Sequence, residues 1–450
     1  MGAHPADGHP VAAVIIEMDS VAATEGKNQS AERRDEHRAL DADSISRQIQ
    51  ETNSANDSAD LVVALVGGID HEGLAMVCEG LRTLPAPTRV AILQTEPLQC
   101  EFADNSARDG GASLFFAPLA KAEAQGAAVS MAAAYRSVFA AAEDLRAHAC
   151  CVFASQIEGT TPAWIARFAQ CLLANEGDLV VPHYARHKFD GLLNASIIAP
   201  LTRSLYGRRI HNPMGPDLGI SERLFRPALV AEQKNGGGGV HALASLAPSA
   251  ACRSLRVREV NAGARAYRPT DWGNTSSLLS AVLGPVFSEM ERNAACWQRV
   301  RGSTAVAAIG EPAFVAQDAE KLDVQRMVES FQLGNRELQE IWCLVLPPTT
   351  LFEVRKLLRL APDQFRMDDA LWARIVYDFA LAHRLRTLSR DHLLKSMTPL
   401  YLGWVASYAL EMQTAGAVET EQRIERLALA YESAKPYLLS RWRWPDRFSP

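Results

Sequence analysis

Residues 178–221 constrain the fold of this chain more than any other part of it. They read DLVVPHYARHKFDGLLNASIIAPLTRSLYGRRIHNPMGPDLGIS, with polar residues packed around two apolar runs. The apolar run at 179–182 is long enough for one buried strand and too short for a helix that must bury a face. In an open α/β sheet, ligands bind at the carboxyl ends of strands, so residues 184–191 are placed where a binding loop would lie. Their composition alone is equally consistent with a solvated surface loop.

Other segments predict a parallel sheet on the amino-terminal side of that stretch. Apolar runs typical of buried strands occupy residues 60–66, 89–93 and 149–153. Residues 71–84 have helical periodicity, and the alanine-rich residues 126–148 predict a long helix. Strands that alternate with helices in this way are typical of an α/β fold with a mostly parallel sheet flanked by helices.

The composition of the chain changes along its length. The first part contains no Phe, Trp or Tyr, so it lacks the apolar surface that would offset the entropy cost of ordering. The last part is predicted to be all-helical, because apolar residues recur at helical spacing at 368–385 and 418–435. We expect a disordered leader (1–59), a sheet domain (60–303), a linker (304–322) and a helical C-terminal region (323–450).

Charge and cysteine content narrow the class of protein. The formal net charge is −6, which gives no overall attraction to nucleic acid or to an anionic membrane, so we expect no nucleic-acid partner. The eight cysteines lack the CxxC spacing of a metal site, and we expect them to be reduced and mostly buried. We find no secretory signal pattern and no transmembrane segment, and therefore predict a cytoplasmic protein.

Residues 178–221 also carry a family resemblance. They follow a pattern close to VPxYxRHxxDG and then PLTRxLYGxRIxxPxGGDxxxS. The chain matches this pattern at Val181, Pro182, Tyr184, Arg186, His187, Asp190, Gly191, Pro200, Leu201, Thr202, Arg203, Leu205, Tyr206, Gly207, Arg209, Ile210, Pro213, Gly215, Asp217 and Ser221. The chain thereby resembles retaining glycosyltransferases of the mannosylglycerate synthase and glucosyl-3-phosphoglycerate synthase type, more weakly so from residue 61 to the C-terminus.

The resemblance implies a GT-A-type (Rossmann-like) fold and a site for a nucleotide-sugar beside a small polar acceptor. Such enzymes hold Mg²⁺ or Mn²⁺ with an Asp-x-Asp motif, which neutralises the departing diphosphate. At the matching positions this chain reads Ala154, Ser155 and Gln156, and none of these carries a negative charge. Tyr267 stands where relatives have a metal-ligating His. We therefore predict a degenerate metal motif with no metal and no other cofactor.

Further departures from the pattern fall on the donor side of the site. The Gly-Gly-Asp turn of relatives reads Gly215-Pro216-Asp217 here, and the proline removes a backbone N–H that could face an anion. His241 stands where relatives have an Asp before a helix, and the expected Gly-Lys-Gly turn reads Ala-Gln-Gly at 124–126.

The resemblance leaves a set of candidate substrate-binding residues. Arg186, His187, Lys188 and Arg203 are cations that could stabilise a diphosphate without a metal, as could Arg208 and Arg209, and ordinary surface charge explains them equally well. Asp190, Gly191, Gly215 and Asp217 are the retained residues that favour a surviving ligand site. His183 and His187 have a spacing that suits a metal only on a helix, which disfavours a metal site after the predicted strand.

Two classes of function remain open. One is a retaining glycosyltransferase that acts without a metal and moves a sugar from a nucleotide-sugar to a small polar acceptor. The other is a non-catalytic homologue that keeps the fold and acts as a binding or scaffold subunit, with a protein partner or a second copy of itself.

Overall fold

A computed structural model describes residues 58–66, 71–94, 111–118, 131–154, 161–234, 240–265, 267, 269–315 and 322–444. The predicted leader at 1–59 lies almost entirely outside the described residues.

The amino-terminal part alternates strands and helices. Its elements are β1 (Leu61–Val66), α1 (His71–Arg82), β2 (Arg89–Gln94), β3 (Ser113–Pro118), α2 (Met131–Asp144), β4 (Ala149–Ala154), α3 (Pro162–Leu173), β5 (Leu179–Ala185), α4 (Ala199–Tyr206), β6 (Arg208–Arg209), β7 (Leu218–Ser221), α5 (Glu222–Lys234), α6 (Val240–Cys252), β8 (Val257–Ala264), α7 (Thr275–Arg292), α8 (Ala294–Trp297), β9 (Thr304–Ala305) and β10 (Ala307–Ile309). A π-helical turn at Asn194–Ile198 leads into α4, and a 3-10 turn at Trp272–Asn274 leads into α7. Helix α3 begins as predicted, with Thr161 accepting from the backbone N–H of Trp164 and a proline in the first turn.

The C-terminal part is helical. It contains α9 (Val324–Glu337), α10 (Gln339–Val345), α11 (Pro348–Leu357), α12 (Asp369–Leu385), α13 (Arg390–Ser396), α14 (Thr398–Met412) and α15 (Ala417–Arg443). Within the described residues no helix combines the length and the apolar composition needed to cross a bilayer.

Eight strands form one sheet in the order β10-β8-β5-β7-β4-β1-β2-β3. Strand β7 runs antiparallel to its neighbours β4 and β5, and the other pairings of this sheet are parallel. The predicted fold class, a mostly parallel sheet flanked by helices with a helical C-terminal region, is confirmed. Strands β6 and β9 pair with each other outside this sheet.

Both faces of the sheet are buried, as β1 illustrates. Leu61, Val63 and Leu65 pack into a core shared with α1 and α3, whereas the alternate residues of β1 pack into a core on the other face. That second core continues without a break into the C-terminal helices, where it includes Trp372 and Trp404. The helical region therefore packs on the sheet through a shared apolar interior.

Three details of the strands differ from the sequence prediction. Strand β3 was not predicted. Strand β5 extends past Pro182 to Ala185, because β8 continues beside it and Ala185 pairs with Ala264 after an irregularity at His183. Tyr184 is thus a strand residue and not a loop residue. The segment predicted as a linker contributes β9 and β10, and β10 joins the main sheet beside β8.

The prediction that all cysteines are reduced is wrong for two of them. Cys252 at the end of α6 and Cys296 in α8 form a disulfide that spans 44 residues of sequence. The contact of α6 with α7 brings the two residues together, and no local spacing in the sequence signals that long-range pairing. The other described cysteines are free, and Cys78, Cys150, Cys151 and Cys171 are buried.

Candidate functional site

A cavity of about 100 Å³ lies where the residues after β5 meet the start of α7 and helix α14. A single water molecule needs roughly 10–15 Å³ on the same measure, so the cavity has room for part of a small organic ligand. Four of the predicted site residues line it, namely Arg186, Asp190, Gly191 and Gly215. The two halves of the family pattern therefore meet at one place.

Most of the cavity wall is apolar, and it includes two aromatic side chains. Trp272 comes from the turn before α7, and Tyr401 comes from α14 in the helical region. The aliphatic wall is formed by Leu192, Leu193, Ile198, Met214, Leu278 and Val282. Pockets with an apolar lining and a few placed polar groups are typical of small-molecule sites.

A tight turn shapes the edge of the cavity near Arg186. The backbone N–H of Asp190 donates to the carbonyl of His187 (2.9 Å), and Gly191 follows with a φ of +63°. A side chain at Gly191 would be strained in that conformation and would lie 3.2 Å from Nη1 of Arg186. Arg186 Nη1 also lies 3.4 Å from Oδ2 of Asp190. The glycine in the pattern thus leaves space for the guanidinium.

The second glycine of the site makes room for an amide. A Cβ at Gly215 would lie 2.3 Å from Nδ2 of Asn212, which is shorter than such contacts allow. Asn212 is buried and lines the cavity. A side chain at Gly215 would therefore displace the Asn212 amide from its position.

Two buried amide atoms beside the cavity have no hydrogen-bond partner within the described structure. Asn194 donates from Nδ2 to the carbonyl of His211 (2.6 Å), which leaves its Oδ1 unmatched. Nδ2 of Asn212 is unmatched as well. Buried polar atoms are nearly always paired in folded proteins, because an unpaired one costs about 1–3 kcal/mol. One unmatched acceptor and one unmatched donor thus belong to side chains of the same cavity.

Asp217 belongs to a buried cluster next to the cavity. Tyr184 donates its hydroxyl to Asp217 Oδ2 (2.5 Å), and Arg265 Nη1 lies 3.8 Å from the same oxygen. The guanidinium groups of Arg186 and Arg265 lie 5.3 Å and 5.1 Å from the centre of the Tyr184 ring. The adjacent Pro216 accepts a hydrogen bond from the hydroxyl of Tyr135, whose pKa burial raises well above its usual value. Asp217 therefore contacts both Tyr184 and Arg265, and the Tyr184 ring in turn lies beside Arg186.

Lys188 and His187, two of the predicted cations, have contacts away from the cavity. Lys188 is buried and donates from Nζ to the carbonyls of Gln413 and Ala415, each at 3.2 Å, after the end of α14. His187 is only 3% exposed and packs against the rings of Phe189 and Tyr267. These contacts hold the loop after β5 against its neighbours.

Arg203 docks the C-terminal helix. Its guanidinium, 4% exposed, contacts Glu425 through Nη1 (2.5 Å) and Nη2 (2.9 Å), and Glu432 through Nη2 (3.1 Å). Both glutamates lie on α15. Arg208 and Arg209 bond the side chains of Thr304 and Ser303 beside the small β6–β9 pair.

The predicted metal-motif positions are covered only in part. Ala154 is the last residue of β4, and Ser155 and Gln156 lie outside the described residues. Tyr267 packs against His187, with 4.2 Å between the ring centres. The loss of the metal motif therefore stays a prediction from the sequence.

Sequence reasoning missed most of the cavity lining, including Asn194, Asn212, Trp272 and Tyr401. Asn194 and Asn212 lie inside the matched pattern but at its variable positions, so the resemblance did not point to them. Trp272 and Tyr401 come from elements far apart in sequence, and only the docking of α14 on the sheet domain unites them. The Asp-Trp-Gly sequence at 271–273 was a local signal for a turn, and Trp272 in that turn is half-buried at the cavity.

Comparison with known proteins gives matches among solved structures. No model of a known protein family matches the chain, and no curated protein matches it. A solved structure of glucosyl-3-phosphoglycerate synthase from Mycobacterium tuberculosis, in complex with phosphoglyceric acid, is similar at 15% identity and a TM-score of 0.31. The match covers 51% of this chain and 80% of that one.

Proposed function

We propose that this chain is a glycosyltransferase-family protein that binds a sugar or sugar phosphate in the cavity beside Arg186 and has no transferase activity. The pattern shared with retaining glycosyltransferases supports the family. The unmatched amides of Asn194 and Asn212 carry the proposal for the ligand. Sugar hydroxyls both donate and accept hydrogen bonds, so one hydroxylated ligand can satisfy Asn194 Oδ1 and Asn212 Nδ2 together.

The aromatic wall suits the same ligand. A sugar ring has an apolar C–H face beside its hydroxyl edge, and the rings of Trp272 and Tyr401 provide apolar surface in the cavity. A negative group on the ligand would lie at Arg186, whose guanidinium has five N–H donors and can contact both Asp190 and an anion.

The distribution of charge favours binding over sugar transfer. A departing nucleoside diphosphate needs positive charge at the site, and the metal motif that supplies it in relatives is replaced at 154–156. Lys188 and Arg203 hold the C-terminal helices, so they are not available to replace the metal. Arg186 is matched by Asp190, and Arg265 lies beside Asp217.

A metal-independent transferase is the second candidate. Arg186 and Arg265 both lie near the Tyr184 ring, and two guanidinium groups on one aromatic ring could hold a diphosphate together. This function requires a nucleotide-sugar as donor and a small polar acceptor.

Calorimetric titration with several ligands separates the two functions. The ligands are UDP-glucose, GDP-glucose, ADP-glucose, glucose 1-phosphate and phosphoglyceric acid, each with and without Mn²⁺. In a parallel assay each nucleotide-sugar is incubated with phosphoglyceric acid as acceptor, with and without Mn²⁺, and the mixture is analysed for sugar transfer. The proposal expects at least one ligand to bind equally with and without Mn²⁺, and no transfer product. The double variant N194A/N212A should weaken binding by about tenfold or more, since each lost hydrogen bond is worth about 1 kcal/mol.

A control variant and three possible outcomes complete the test. Arg208→Ala removes a guanidinium away from the cavity and should leave the affinity unchanged. A transfer product formed without Mn²⁺ would replace the proposal with the metal-independent enzyme. Binding that needs Mn²⁺ would overturn the prediction of a degenerate metal motif, and absence of binding for every ligand would overturn the proposed function.

A further inference from the structure

Three metal-ligating side chains come together on the sheet beside the cavity, and the proposed function uses none of them. His183 is on β5, Glu259 is on the neighbouring strand β8, and His211 is in the loop after β6. One ligand atom from each residue lies within 4.8 Å of the others. The three residues are far apart in sequence, and the sheet topology unites them.

The register of β5 and β8 explains why two of them share a face. His183 pairs with Asn261 and Val181 pairs with Glu259 in the parallel ladder. Residues two apart on a strand point to the same face, so His183 and Glu259 project from the same side of the sheet. The loop after β6 places His211 in contact with both His183 and Glu259.

We propose that His183, His211 and Glu259 form a binding site for a divalent transition-metal ion, with zinc as the best match. Two imidazoles and one carboxylate are a ligand set that zinc uses when it keeps a fourth position open. Imidazole ligands favour zinc and similar ions over Mg²⁺ and Ca²⁺, which prefer oxygen ligands. This site is separate from the degenerate motif at 154–156, and the inference does not rest on the proposed function.

The distance between His211 and Glu259 is close to that expected across a bound ion, and the three ligand atoms all lie within 4.8 Å of one another. Nδ1 of His211 lies 2.9 Å from Oε2 of Glu259. Two ligand atoms on one tetrahedral zinc ion lie roughly 3.3 Å apart, given bonds of about 2.0–2.1 Å. The ion could therefore take the place of the shared proton if the two groups separate by a few tenths of an ångström.

The two imidazole rings need a small rotation. Their centres lie 3.8 Å apart and the rings are nearly parallel, at 8°. In a bound state the nitrogen lone pairs must converge on the ion, so one ring must tilt away from the stack. His211 has the freedom for this, because its side chain is 52% exposed.

Glu259 is the most buried of the three proposed ligands, and a backbone hydrogen bond fixes its position. Its carboxylate is 2% exposed, and Oε1 accepts from the backbone N–H of His211 (2.7 Å). That bond holds the loop in place while Oε2 faces the imidazoles. Glu421 on α15 is close enough to act electrostatically on both histidines, which adds negative potential for a cation.

The test is a titration of the full chain with Zn²⁺ in a buffer that contains a competing chelator. We expect one ion to bind per chain at this site and Mg²⁺ not to compete. His183→Gln and Glu259→Gln should each weaken that binding by about tenfold or more. His148→Ala and His392→Ala remove exposed histidines elsewhere and should have no effect.

A second measurement identifies variants that do not fold, so that they are not compared. Each variant is first melted without metal, and only variants that melt within a few degrees of the parent are compared. Bound Co²⁺ should give a visible absorption band in the parent that His183→Gln removes. Equal Zn²⁺ affinity in the parent, His183→Gln and Glu259→Gln would overturn the proposal and leave Glu259 as a plain partner of His211.

Discussion

Two groups of polar residues in segment 178–221 look alike in the sequence and differ completely in the structure. Arg186, Asp190 and Asn212 line the cavity. Lys188 and Arg203 bind the C-terminal helices, through partners 225 and 222 residues further along the chain. The charge of a residue in this segment therefore does not show whether the residue lines the cavity or contacts the C-terminal helices. That depends on a contact partner that is distant in sequence.

The two groups also differ in where their polar atoms find partners. Arg203 meets two glutamates of α15, and the nearby Lys435 donates to the carbonyls of Ser204 (2.7 Å) and Val300 (2.8 Å). The cavity keeps an unmatched acceptor on Asn194 and an unmatched donor on Asn212. Both Nη groups of Arg203 are paired within the chain, although its Nε is unmatched, whereas the unmatched atoms of Asn194 and Asn212 belong to side chains that line a cavity.

The largest expected effect comes from the docking group. Arg203→Ala removes a buried side chain together with its charge-assisted hydrogen bonds to Glu425 and Glu432, and should lower the free energy of unfolding by about 2–4 kcal/mol. Arg226→Ala, on an exposed pair with Glu222, is the control and should change it by less than about 0.5 kcal/mol. Urea unfolding measures both. Equal losses of stability in the two variants would contradict the claim that Arg203 stabilises the docking of α15 more than a surface arginine stabilises the protein.

The next largest effect is expected from a substitution at the cavity. Gly215→Ala places a Cβ where Asn212 Nδ2 lies, so we expect a loss of about 1–3 kcal/mol in stability and weaker ligand binding. Gly302→Ala is the matched control, since a Cβ there meets no atom within 4 Å. Thermal unfolding and the titration described above measure the two consequences. A Gly215→Ala protein with parental stability would show that the Asn212 side chain is not fixed there.

A pH effect is expected in the helical region, away from the cavity. Burial raises the pKa of Asp378 to about 7, although Arg441 Nη1 lies 2.9 Å away and opposes this rise. The folded state then holds a proton that the unfolded chain releases near pH 4, so Asp378 makes stability fall as pH rises from about 4 to 7.

Asp378→Asn lacks that proton and provides the comparison. The stability of the parent relative to Asp378→Asn should fall by at most about 1.4 kcal/mol between pH 5 and pH 6. Asp391→Asn, at an exposed position, should follow the parent at both pH values. A relative stability that rises with pH would show that the pairing with Arg441 outweighs burial.

The sequence predicted the sheet well because each strand is encoded locally. The apolar runs at β1, β2, β4 and β5 and the Thr161 helix start all follow from short-range patterns. Strand β3 was missed, since Ser113–Pro118 follows a long polar stretch and pairs only with β2. The extension of β5 to Ala185 depends on β8, more than seventy residues away.

Only part of the cavity lining could be predicted from the sequence, and the binding roles of its residues stay predictions. Arg186, Gly191 and Gly215 belong to the pattern and line the cavity, and the positive φ of Gly191 is a local requirement that a glycine in the pattern can signal. The pattern could not show that Arg203 turns to α15, that Tyr401 closes the wall, or that His183 meets His211 instead of His187. Those contacts depend on tertiary packing between distant elements.

A crystal structure of the chain grown with the tightest-binding ligand from the titration tests the central claim most directly. We predict ligand density in the cavity, with hydroxyl groups within hydrogen-bond distance of Asn194 Oδ1 and Asn212 Nδ2 and a negative group at Arg186. Lys188 and Arg203 should keep their contacts with the C-terminal helices. Ligand density at any other place, with the cavity holding only water, would contradict the account.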